Sequence, residues 1–313
     1  MRHYKKIKYT VWALVLFFLI NIIPHVVVRI LAASNAVQSF ELAGIPMQFN
    51  GTITVAVYNI AHGRGGKYGG KNWNGESGEE RERRLLSIAH LLKQQDVDVV
   101  ILNEVDFDSD WSHNLNQAEM IAKKADFPYR VEQRNYSLYH PFFKLQFGNA
   151  ILSKYPIDNA RLLEFMPLSM LEKMVFGNHD GVVVDLVLNE NKKLSIVALH
   201  LEVRDGDSRL KTFSILQQLA STTSIPTILA GDFNSVKGAG GNRPSIIDKL
   251  TDIDGVGYYP NASSNESSYT FPSKNPVKTL DWILVPSSIK ILQGQVLKVN
   301  WSDHLPLIVD LKL

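Results

Sequence analysis

Several short apolar runs along the chain stop at a residue that can bind a metal ion or transfer a proton. One run follows Pro226 and ends in Gly231-Asp232-Phe233-Asn234. Apolar runs of this length predict buried strands, so the polar residues at their ends would lie at the rim of a sheet. In open α/β sheets this rim is where ligands bind. Taken alone, the tetrapeptide is equally typical of a turn.

The recurrence of this pattern favours a shared site over unrelated turns. Five further polar positions occur at or within strand candidates: Asn59 after Ile53–Tyr58, Glu104 after Val97–Leu102, His200 after Leu194–Leu199, Asp281 within Thr279–Val285, and Asp303-His304 after Ile291–Val299. Random turns would not be expected to offer this chemistry so often. We therefore expect these side chains to converge.

The spacing of apolar residues also predicts the elements around these strands. Helical spacing predicts helices over Glu79–Gln95, Asn116–Ala125 and Ser208–Ser221. The remaining strand candidates are Tyr129–Gln133, Asn149–Ser153, Val182–Leu188 and Leu305–Leu311. Helix-to-strand units separated by consecutive strands predict an α/β fold with mixed sheets and helices outside.

The N-terminal segment is predicted to be a separate unit. Its basic residues Arg2, Lys5, Lys6 and Lys8 precede the apolar stretch Thr10–Val28. At about 1.5 Å per residue that stretch spans most of a bilayer core of about 30 Å, and the positive flank favours a cytoplasmic N-terminus. We predict a cytoplasmic N-terminus and single transmembrane helix over residues 1–33, a linker over 34–50, and a catalytic domain over 51–313 outside the cytoplasm.

A cleaved signal peptide is the alternative interpretation of this segment. Its cleavage site would be Ser34-Asn35-Ala36, and the catalytic domain would then be secreted. The apolar run Val26–Val28 between Ile23 and that site disfavours cleavage. Both interpretations export the catalytic domain.

Composition narrows the classes of function. The chain has 313 residues, 45% of them hydrophobic and 20% charged, which is typical of a globular protein. The absence of cysteine excludes disulfides, thiolate metal sites and a cysteine nucleophile. Beyond residue 33 there are 28 basic and 31 acidic residues. A protein that follows a nucleic-acid backbone usually has a basic face, so this balance disfavours long nucleic acids.

Two kinds of segment have more than one interpretation. The glycine-rich stretch 62–75 would either wrap a phosphate with its backbone N–H groups or form a surface loop, and it lacks the spacing of a nucleotide-binding loop. The apolar stretches Leu138–Phe147 and Phe165–Phe176 are better explained as core. If exposed, they would form an apolar surface suited to a lipid.

Seven short motifs together resemble the endonuclease/exonuclease/phosphatase superfamily. This superfamily of metal-dependent phosphoesterases includes deoxyribonuclease-I-like nucleases, neutral sphingomyelinases and inositol-polyphosphate phosphatases. The motifs match in order and spacing: Tyr58-Asn59-Ile60, Asn103-Glu104-Val105-Asp106, Gly148-Asn149-Ala150-Ile151-Leu152-Ser153, Leu199-His200-Leu201, Gly231-Asp232-Phe233-Asn234, Asp281-Trp282-Ile283 and Ser302-Asp303-His304. The resemblance implies a four-layer α/β sandwich, in which helices flank two mixed central sheets and the site lies at one end.

The resemblance also implies a metal site and a substrate-binding site. A phosphodiester is anionic and resists attack by water, so a hard divalent cation with oxygen ligands is needed. Mg²⁺ is the expected cation, with Mn²⁺ as the alternative. The expected metal ligands are Glu104, Asn59 and Asp303, and the expected substrate-binding residues are His62, Arg64 and Asn149.

Five residues are expected to carry the catalysis. By similarity with the family, His304 would be oriented by Asp281 and would polarise the attacking water. Asp232 would orient that water or act as the base itself. Asn234 would donate to phosphoryl oxygens, and His200 would contact the phosphate or protonate the leaving oxygen. The identity of the acid and of the base stays open.

Departures from the family pattern narrow the substrate. Asn103 replaces the usual Gln before Glu104 and keeps an amide. Lys278-Thr279-Leu280-Asp281-Trp282 replaces the Trp-Cys-Asp-Arg signature of inositol 5-phosphatases, which argues against a phosphoinositide 5-phosphatase.

The expected function is metal-dependent hydrolysis of a phosphodiester, in a lipid head group or a nucleic acid, by direct attack of water. A dedicated nuclease is one alternative. An inactive, membrane-tethered binding module is another, which the nearly complete set of site residues disfavours. The sequence indicates no protein partner.

Overall fold

The computed structural model describes residues 2–33, 36–43, 47–65, 76–140, 143–166, 169, 177–238, 245–260 and 266–313. In these ranges the helices are α1 Arg2–Ala33, α2 Gly78–Gln94, α3 Gln117–Lys124, α4 Gly206–Thr222 and α5 Ile246–Thr251. The strands are β1 Val37–Glu41, β2 Thr52–Asn59, β3 Val99–Asp106, β4 Tyr129–His140, β5 Phe143–Ser153, β6 Ile157–Leu163, β7 Gly181–Asn189, β8 Lys192–His200, β9 Thr227–Asp232, β10 Gly257–Tyr259, β11 Asp281–Val285, β12 Lys290–Val296 and β13 Leu307–Lys312.

The strands form two mixed sheets. Sheet I has the order β1-β4-β5-β3-β2-β13-β12, and sheet II has the order β10-β11-β9-β8-β7-β6. In sheet I, β2 and β3 are parallel, and in sheet II, β8 and β9 are parallel. The other pairs are antiparallel. Each sheet therefore has a central parallel pair whose carboxyl ends lie at one edge.

Three apolar clusters separate four layers. Val55 and Val57 of β2 face Ile196 of sheet II in the central cluster. Ala56 and Tyr58, which alternate with them along the strand, pack beneath helices α2 and α3 on the outer face. A third cluster joins the outer face of sheet II to α4 and α5. The predicted α/β fold with two mixed sheets and outer helices is confirmed.

The three predicted helices of the catalytic body are also confirmed, and their ends have capping residues. Ser77 Oγ accepts a hydrogen bond from Glu80 N at 3.2 Å, while Glu80 Oε2 accepts one from Ser77 N at 3.1 Å. Asn116 Oδ1 accepts from Glu119 N at 2.9 Å at the start of α3. These bonds satisfy N–H groups that have no partner within the helix.

The predicted linker over residues 34–50 needs a correction. Val37–Glu41 form β1, which pairs antiparallel with β4 at the edge of sheet I. Phe49 and Met47 also pack against the central cluster. An edge strand is buried on one side only, so its sequence pattern is weak and the pairing was not predicted. Part of this segment therefore belongs to the catalytic body.

The residues predicted to form the membrane anchor form helix α1. Its described side chains are exposed and mostly apolar, including Trp12 and Phe17. Across the described ranges, no helix is both long enough and apolar enough to cross a membrane.

Candidate active site

The ends of the central strands open into a cavity of about 720 Å³. Six of the predicted site residues line it: Glu104, His200, Asp232, Asn234, Asp303 and His304. Two more, Asn59 and Asp281, are fully buried and contact the lining residues. The structure thus brings together the polar ends of strands from both sheets.

Strand register aligns three of these side chains across sheet II. His200 of β8 is opposite Asp232 of β9, which is in turn opposite Asp281 of β11. Gly231 allows this close approach, because a Cβ at this position would lie 1.9 Å from Leu199 O. Gly231 also has a φ of 143°, a backbone conformation that residues with a side chain rarely adopt.

A β-bulge places Glu104. The pairing of β3 with β5 shifts register between Leu102 and Val105, and Glu104 has a φ of 51°. Bulges redirect a side chain and are often found beside active sites. Here the bulge coincides with the point at which the Glu104 carboxylate reaches the cavity.

Basic and amide groups surround the Glu104 carboxylate. Oε1 accepts a hydrogen bond from Asn59 Nδ2 at 3.1 Å and lies 3.8 Å from His200 Nε2. Oε2 lies 3.5 Å from His62 Nε2 and 3.8 Å from Arg64 Nη2. Burial alone would raise the pKa of Glu104, but these neighbours lower it to about 2. Glu104 is therefore an anion at neutral pH.

His304 and Asp281 form a buried carboxylate–imidazole pair. His304 Nδ1 lies 2.8 Å from Asp281 Oδ2, and His304 Nε2 lies 3.6 Å from Asp232 Oδ2. Burial alone would lower the pKa of His304, but Asp281 and Asp232 raise it to about 10. The pair has the geometry in which a carboxylate fixes the orientation of a catalytic imidazole.

Asn59 and Asn234 hold Asp232 from two sides. Asn59 Nδ2 donates to Asp232 Oδ2 at 3.1 Å, and Asn59 Oδ1 accepts from Ala61 N at 3.0 Å. Asn59 thus presents N–H groups to the carboxylates, and ligation through its oxygen would require the amide to turn over. Asn234 N donates to Asp232 Oδ1 at 2.9 Å. One Asn234 amide hydrogen binds Leu201 O, which leaves the other for a phosphoryl oxygen.

The predicted contact between Asn149 and substrate is not supported. Asn149 is fully buried, accepts a hydrogen bond from Asn103 Nδ2 at 2.8 Å, and donates to Gln133 Oε1 at 2.7 Å. Asn103 Oδ1 in turn accepts from Asp232 N at 3.0 Å. Because its amide is occupied within the sheet, Asn149 positions Asn103 and hence Asp232.

His62 and Arg64 lie beside the Glu104 carboxylate. His62 Nδ1 lies 2.8 Å from Asp106 Oδ1, and its ring packs edge-on against Trp111 and Phe147. His62 is only 8% exposed, so its contact with Glu104 is better supported than contact with substrate. Residues 66–75 of the predicted phosphate-binding loop lie outside the described residues.

His179 and Glu202 were not predicted as site residues. His179 lines the cavity, and its Nε2 lies 3.4 Å from Glu202 Oε2. It precedes β7, whereas the sequence pattern selected residues that follow strands. Because β7 is antiparallel to β8, the start of β7 lies beside the end of β8 at His200. A search for polar residues that directly precede an antiparallel strand could have found His179.

The oxygen donors at this end of the cavity fit a hard divalent cation. Ionised Glu104 faces the cavity together with Asp232 and Asp303, and carboxylates are the ligands Mg²⁺ and Mn²⁺ favour. Ligand atoms of Asp232, Asp281 and His304 also lie within 4.8 Å of one another. In that group, however, Asp281 Oδ2 and His304 Nδ1 are hydrogen-bonded to each other. The Glu104 region is therefore the better candidate.

Comparison with known proteins agrees with the fold. The Endonuclease/Exonuclease/phosphatase family model matches residues 56–304. This match covers most of the chain, which therefore belongs to that family. The family match supports a hydrolase that acts on phosphate esters. No curated protein matches the chain significantly.

Solved structures share the fold at low sequence identity. An endonuclease/exonuclease/phosphatase from Beutenbergia cavernae DSM 12333 has 19% identity and a TM-score of 0.64, over 84% of this chain and 72% of that one. The human Nocturnin catalytic domain with bound sulfate has 17% identity and a TM-score of 0.59, over 86% and 95%. A humanized D. rerio TDP2 has 14% identity and a TM-score of 0.60, over 84% and 100%.

Proposed function

We propose that this protein is a Mg²⁺-dependent phosphodiesterase that uses direct attack of water and acts outside the cytoplasm. The observation that carries the proposal is the position of Asp232 and His304 at the cavity. Asp232 Oδ2 and His304 Nε2 lie 3.6 Å apart, so one water oxygen can lie within hydrogen-bond distance of both. Glu104 lines the same cavity and is an anion available to a cation.

The side chains have complementary roles in the proposed reaction. The water oxygen forms a bond to phosphorus while the bond from phosphorus to the leaving oxygen breaks. The proton of the water passes to the Asp232 carboxylate, which Asn59 holds in place, while the imidazole of His304, oriented by Asp281, polarises the water. The leaving oxygen takes a proton from His200. Asn234 donates its remaining amide hydrogen to the phosphoryl group.

Glu104 is proposed as the main metal ligand, with Asp303 contributing from the opposite loop. Bound Mg²⁺, or Mn²⁺ in its place, would supply positive charge that neutralises the phosphate. Asn59 orients Glu104 through the hydrogen bond at 3.1 Å. His62 and Arg64 keep the carboxylate ionised and fix its position.

The cavity wall favours a lipid head group over a nucleic acid. Apolar side chains contribute to the lining, among them Leu210, Ile246 and Phe271. Val203 lines the cavity and is 59% exposed. Met166 is 64% exposed and lines a second pocket, which shares His179 and Arg209 with the cavity. Exposed apolar groups around a binding site are typical of contacts with apolar partners. A nuclease is the second candidate, which the acidic balance of the catalytic body disfavours.

The first test uses the full-length chain, purified in detergent and assayed with Mg²⁺ and bis-p-nitrophenyl phosphate. We expect turnover that EDTA abolishes and that His304→Ala and Glu104→Ala each lower by at least about 100-fold. The matched control is His90→Ala, because His90 is exposed on α2 away from the cavity. Absence of turnover in the wild type would support the inactive binding module instead, and turnover unchanged in both variants would contradict the proposed site.

The second test identifies the substrate class. The same preparation is compared on plasmid DNA, RNA, sphingomyelin and phosphatidyl lipids, with His304→Ala as the blank. We expect His304-dependent hydrolysis of a lipid substrate. A preference for DNA or RNA would establish the nuclease alternative.

The location outside the cytoplasm depends on the N-terminal segment. The basic flank followed by an apolar stretch supports residues 1–33 as anchor and the catalytic domain that follows them as exported. Secretion after signal cleavage is the alternative. External protease on intact cells or spheroplasts should digest the catalytic domain, and protection of the domain would contradict this orientation.

A further inference from the structure

The His200 ring lies near two carboxylates, but neither is close enough to fix its orientation by a hydrogen bond. Its Nε2 lies 3.8 Å from Glu104 Oε1 and 3.8 Å from Asp232 Oδ2, beyond hydrogen-bond distance. Throughout the described part of the chain, the structure shows no hydrogen bond to this ring. His304, by contrast, is fixed by Asp281 at 2.8 Å. A proton donor to the leaving oxygen must be held in place, so another contact has to orient His200.

That contact is the ring of His179. The centroids of the His179 and His200 rings lie 5.4 Å apart, and the ring planes meet at 88°. This is the edge-to-face geometry that aromatic pairs prefer. Both rings line the same cavity. The His179 ring therefore limits the rotation of His200 while Glu104 and Asp232 attract its Nε2.

The backbone on both sides of His179 is fixed. Asn178 Nδ2 donates to Phe165 O at 2.7 Å, and Asp180 N donates to Asn135 Oδ1 at 3.1 Å. Asp180 Oδ1 accepts from Phe165 N at 2.8 Å. His179 therefore projects from a segment that is anchored to its neighbours in space.

The Glu202 carboxylate lies beside the His179 ring. His179 Nε2 lies 3.4 Å from Glu202 Oε2. Glu202 is held in turn by Arg204, whose backbone N and Nε donate to Oε1 at 2.9 and 2.8 Å. Arg209 donates to the carbonyl oxygens of Glu202 and Val203, which fixes the backbone of this loop. The series Arg204–Glu202–His179–His200 thus connects an anchored loop to the ring that faces the reaction.

We propose that His179 is a positioning residue, whose ring holds the His200 imidazole in the orientation required for proton transfer to the leaving oxygen. The proposal rests on the function proposed above. It differs from direct substrate contact because His179 acts only through His200. Its ring, rather than its nitrogen atoms, is the essential part.

The neutral state of His179 suits this role. Burial and the neighbouring His200 lower the pKa of His179 to about 4, against an opposing effect of Glu202. A neutral ring does not repel a protonated His200. A positively charged side chain at the same position would repel it.

Three substitutions separate the ring from its polar nitrogen atoms. His179→Phe keeps a ring edge, His179→Gln keeps a polar N–H group, and His179→Ala keeps neither. In the full-length chain, on the lipid or nucleic-acid phosphodiester that the substrate panel identifies, whose leaving alkoxide needs a proton, we expect Ala and Gln to lower kcat about fivefold to tenfold with little change in KM. The kcat of His179→Phe should stay within about twofold of the wild-type kcat. Loss of activity in Phe with retention in Gln would overturn the proposal.

A double-mutant cycle tests whether His179 acts through His200. We expect His179→Ala to have no further effect on kcat in a His200→Ala background. An additional loss of fivefold or more in that background would show an independent role and overturn the proposal.

A spectroscopic measurement gives a result that does not depend on activity. The ring resonances of His200 are identified in the full-length chain by ¹⁵N-histidine labelling and comparison with His200→Ala. We expect these resonances to shift or broaden in His179→Ala and to stay near wild-type values in His179→Phe. Unchanged His200 resonances in a folded His179→Ala protein would overturn the inference. An inactive wild type would contradict the proposed function while leaving this measurement valid.

Discussion

His304 and His179 both line the cavity, each beside a carboxylate, and the two pairs differ in what else binds that carboxylate. In the first pair, His304 and Asp281, the two atoms lie 2.8 Å apart, and among the described residues Asp281 has no ion pair with any other residue. In the second pair, His179 and Glu202, the separation is 3.4 Å, and Glu202 is bound by Arg204. The side chain of His304 is 6% exposed, while that of His179 is 36% exposed.

This difference explains why the two histidines have opposite pKa shifts. Burial lowers the pKa of both rings, but Asp281 and Asp232 outweigh it and raise the pKa of His304 to about 10. Glu202 cannot outweigh burial and the charge of His200, so the pKa of His179 falls to about 4. A carboxylate already neutralised by arginine therefore orients an imidazole without charging it. One pair is suited to proton transfer, and the other to positioning.

The largest effect is expected from the first pair. His304→Ala should lower kcat/KM on bis-p-nitrophenyl phosphate by about 1,000-fold, because the group that polarises the water is lost. Asp281→Asn should have an effect of similar size, since the ring would lose its orienting charge. Steady-state kinetics of the two variants checks this. A loss below tenfold in His304→Ala would remove the distinction between the pairs.

The next effect separates the metal-binding carboxylate from the positioning carboxylate. Glu104→Gln should lower activity by about 100-fold and raise the Mg²⁺ concentration needed for half-maximal rate, because an anionic oxygen ligand is lost. Glu202→Gln is the matched control, since the same chemical change should leave the Mg²⁺ requirement unaltered. Rates measured across a Mg²⁺ titration test both. An equal shift in the two variants would contradict the assignment of Glu104.

A smaller effect is expected when the second pair is made to resemble the first. Arg204→Ala removes the cation that neutralises Glu202, so the free carboxylate should raise the pKa of His179 by about one pH unit. NMR titration of the His179 ring measures this directly. Arg161→Ala is a suitable control, because Arg161 pairs with Asp185 outside the cavity. An unchanged His179 pKa would show that Arg204 does not control the pair.

The smallest effect concerns the pH dependence of stability. The folded state lowers the pKa of His179 below its ordinary value of 6.5, so its unfolded state binds the proton more readily. This contribution to stability is present above about pH 6.5 and is lost as the pH falls toward 4. For His304, whose pKa is raised, the contribution is present below about pH 6.5 and is lost as the pH rises toward 10.

Urea unfolding of the wild type and His179→Phe between pH 4 and 8 tests this difference. The wild type should lose more stability than the variant as the pH falls, because the variant has no titrating group at this position. Parallel stability profiles would contradict the lowered pKa.

The sequence predicted most of the parts of this site, but not how they are supported. Glu104, His200, Asp232 and His304 were found because apolar strands end beside them, and all four line the cavity. Asn149 was expected to contact substrate and instead supports Asn103. A sequence does not show whether an asparagine side chain faces solvent or another strand. The role of Asn149 could therefore be assigned only once its burial was known.

What the sequence by itself determined was the set of local elements. Helix caps, helical spacing and apolar strands depend on residues close together in the chain, which is why α2, α3 and α4 were predicted with nearly correct ends. The polar residue types at strand ends also indicated the chemistry, because phosphate-ester hydrolysis requires oxygen ligands and groups that transfer protons.

The tertiary structure alone decided which of these groups meet. The register that places His200, Asp232 and Asp281 side by side involves three strands distant in sequence. The bulge at Glu104 depends on pairing with β5, and His179 reaches the cavity only because β7 is antiparallel to β8. Pairing between distant strands is not encoded in local periodicity. For the same reason, the difference between the two carboxylate–imidazole pairs became apparent only in the folded protein.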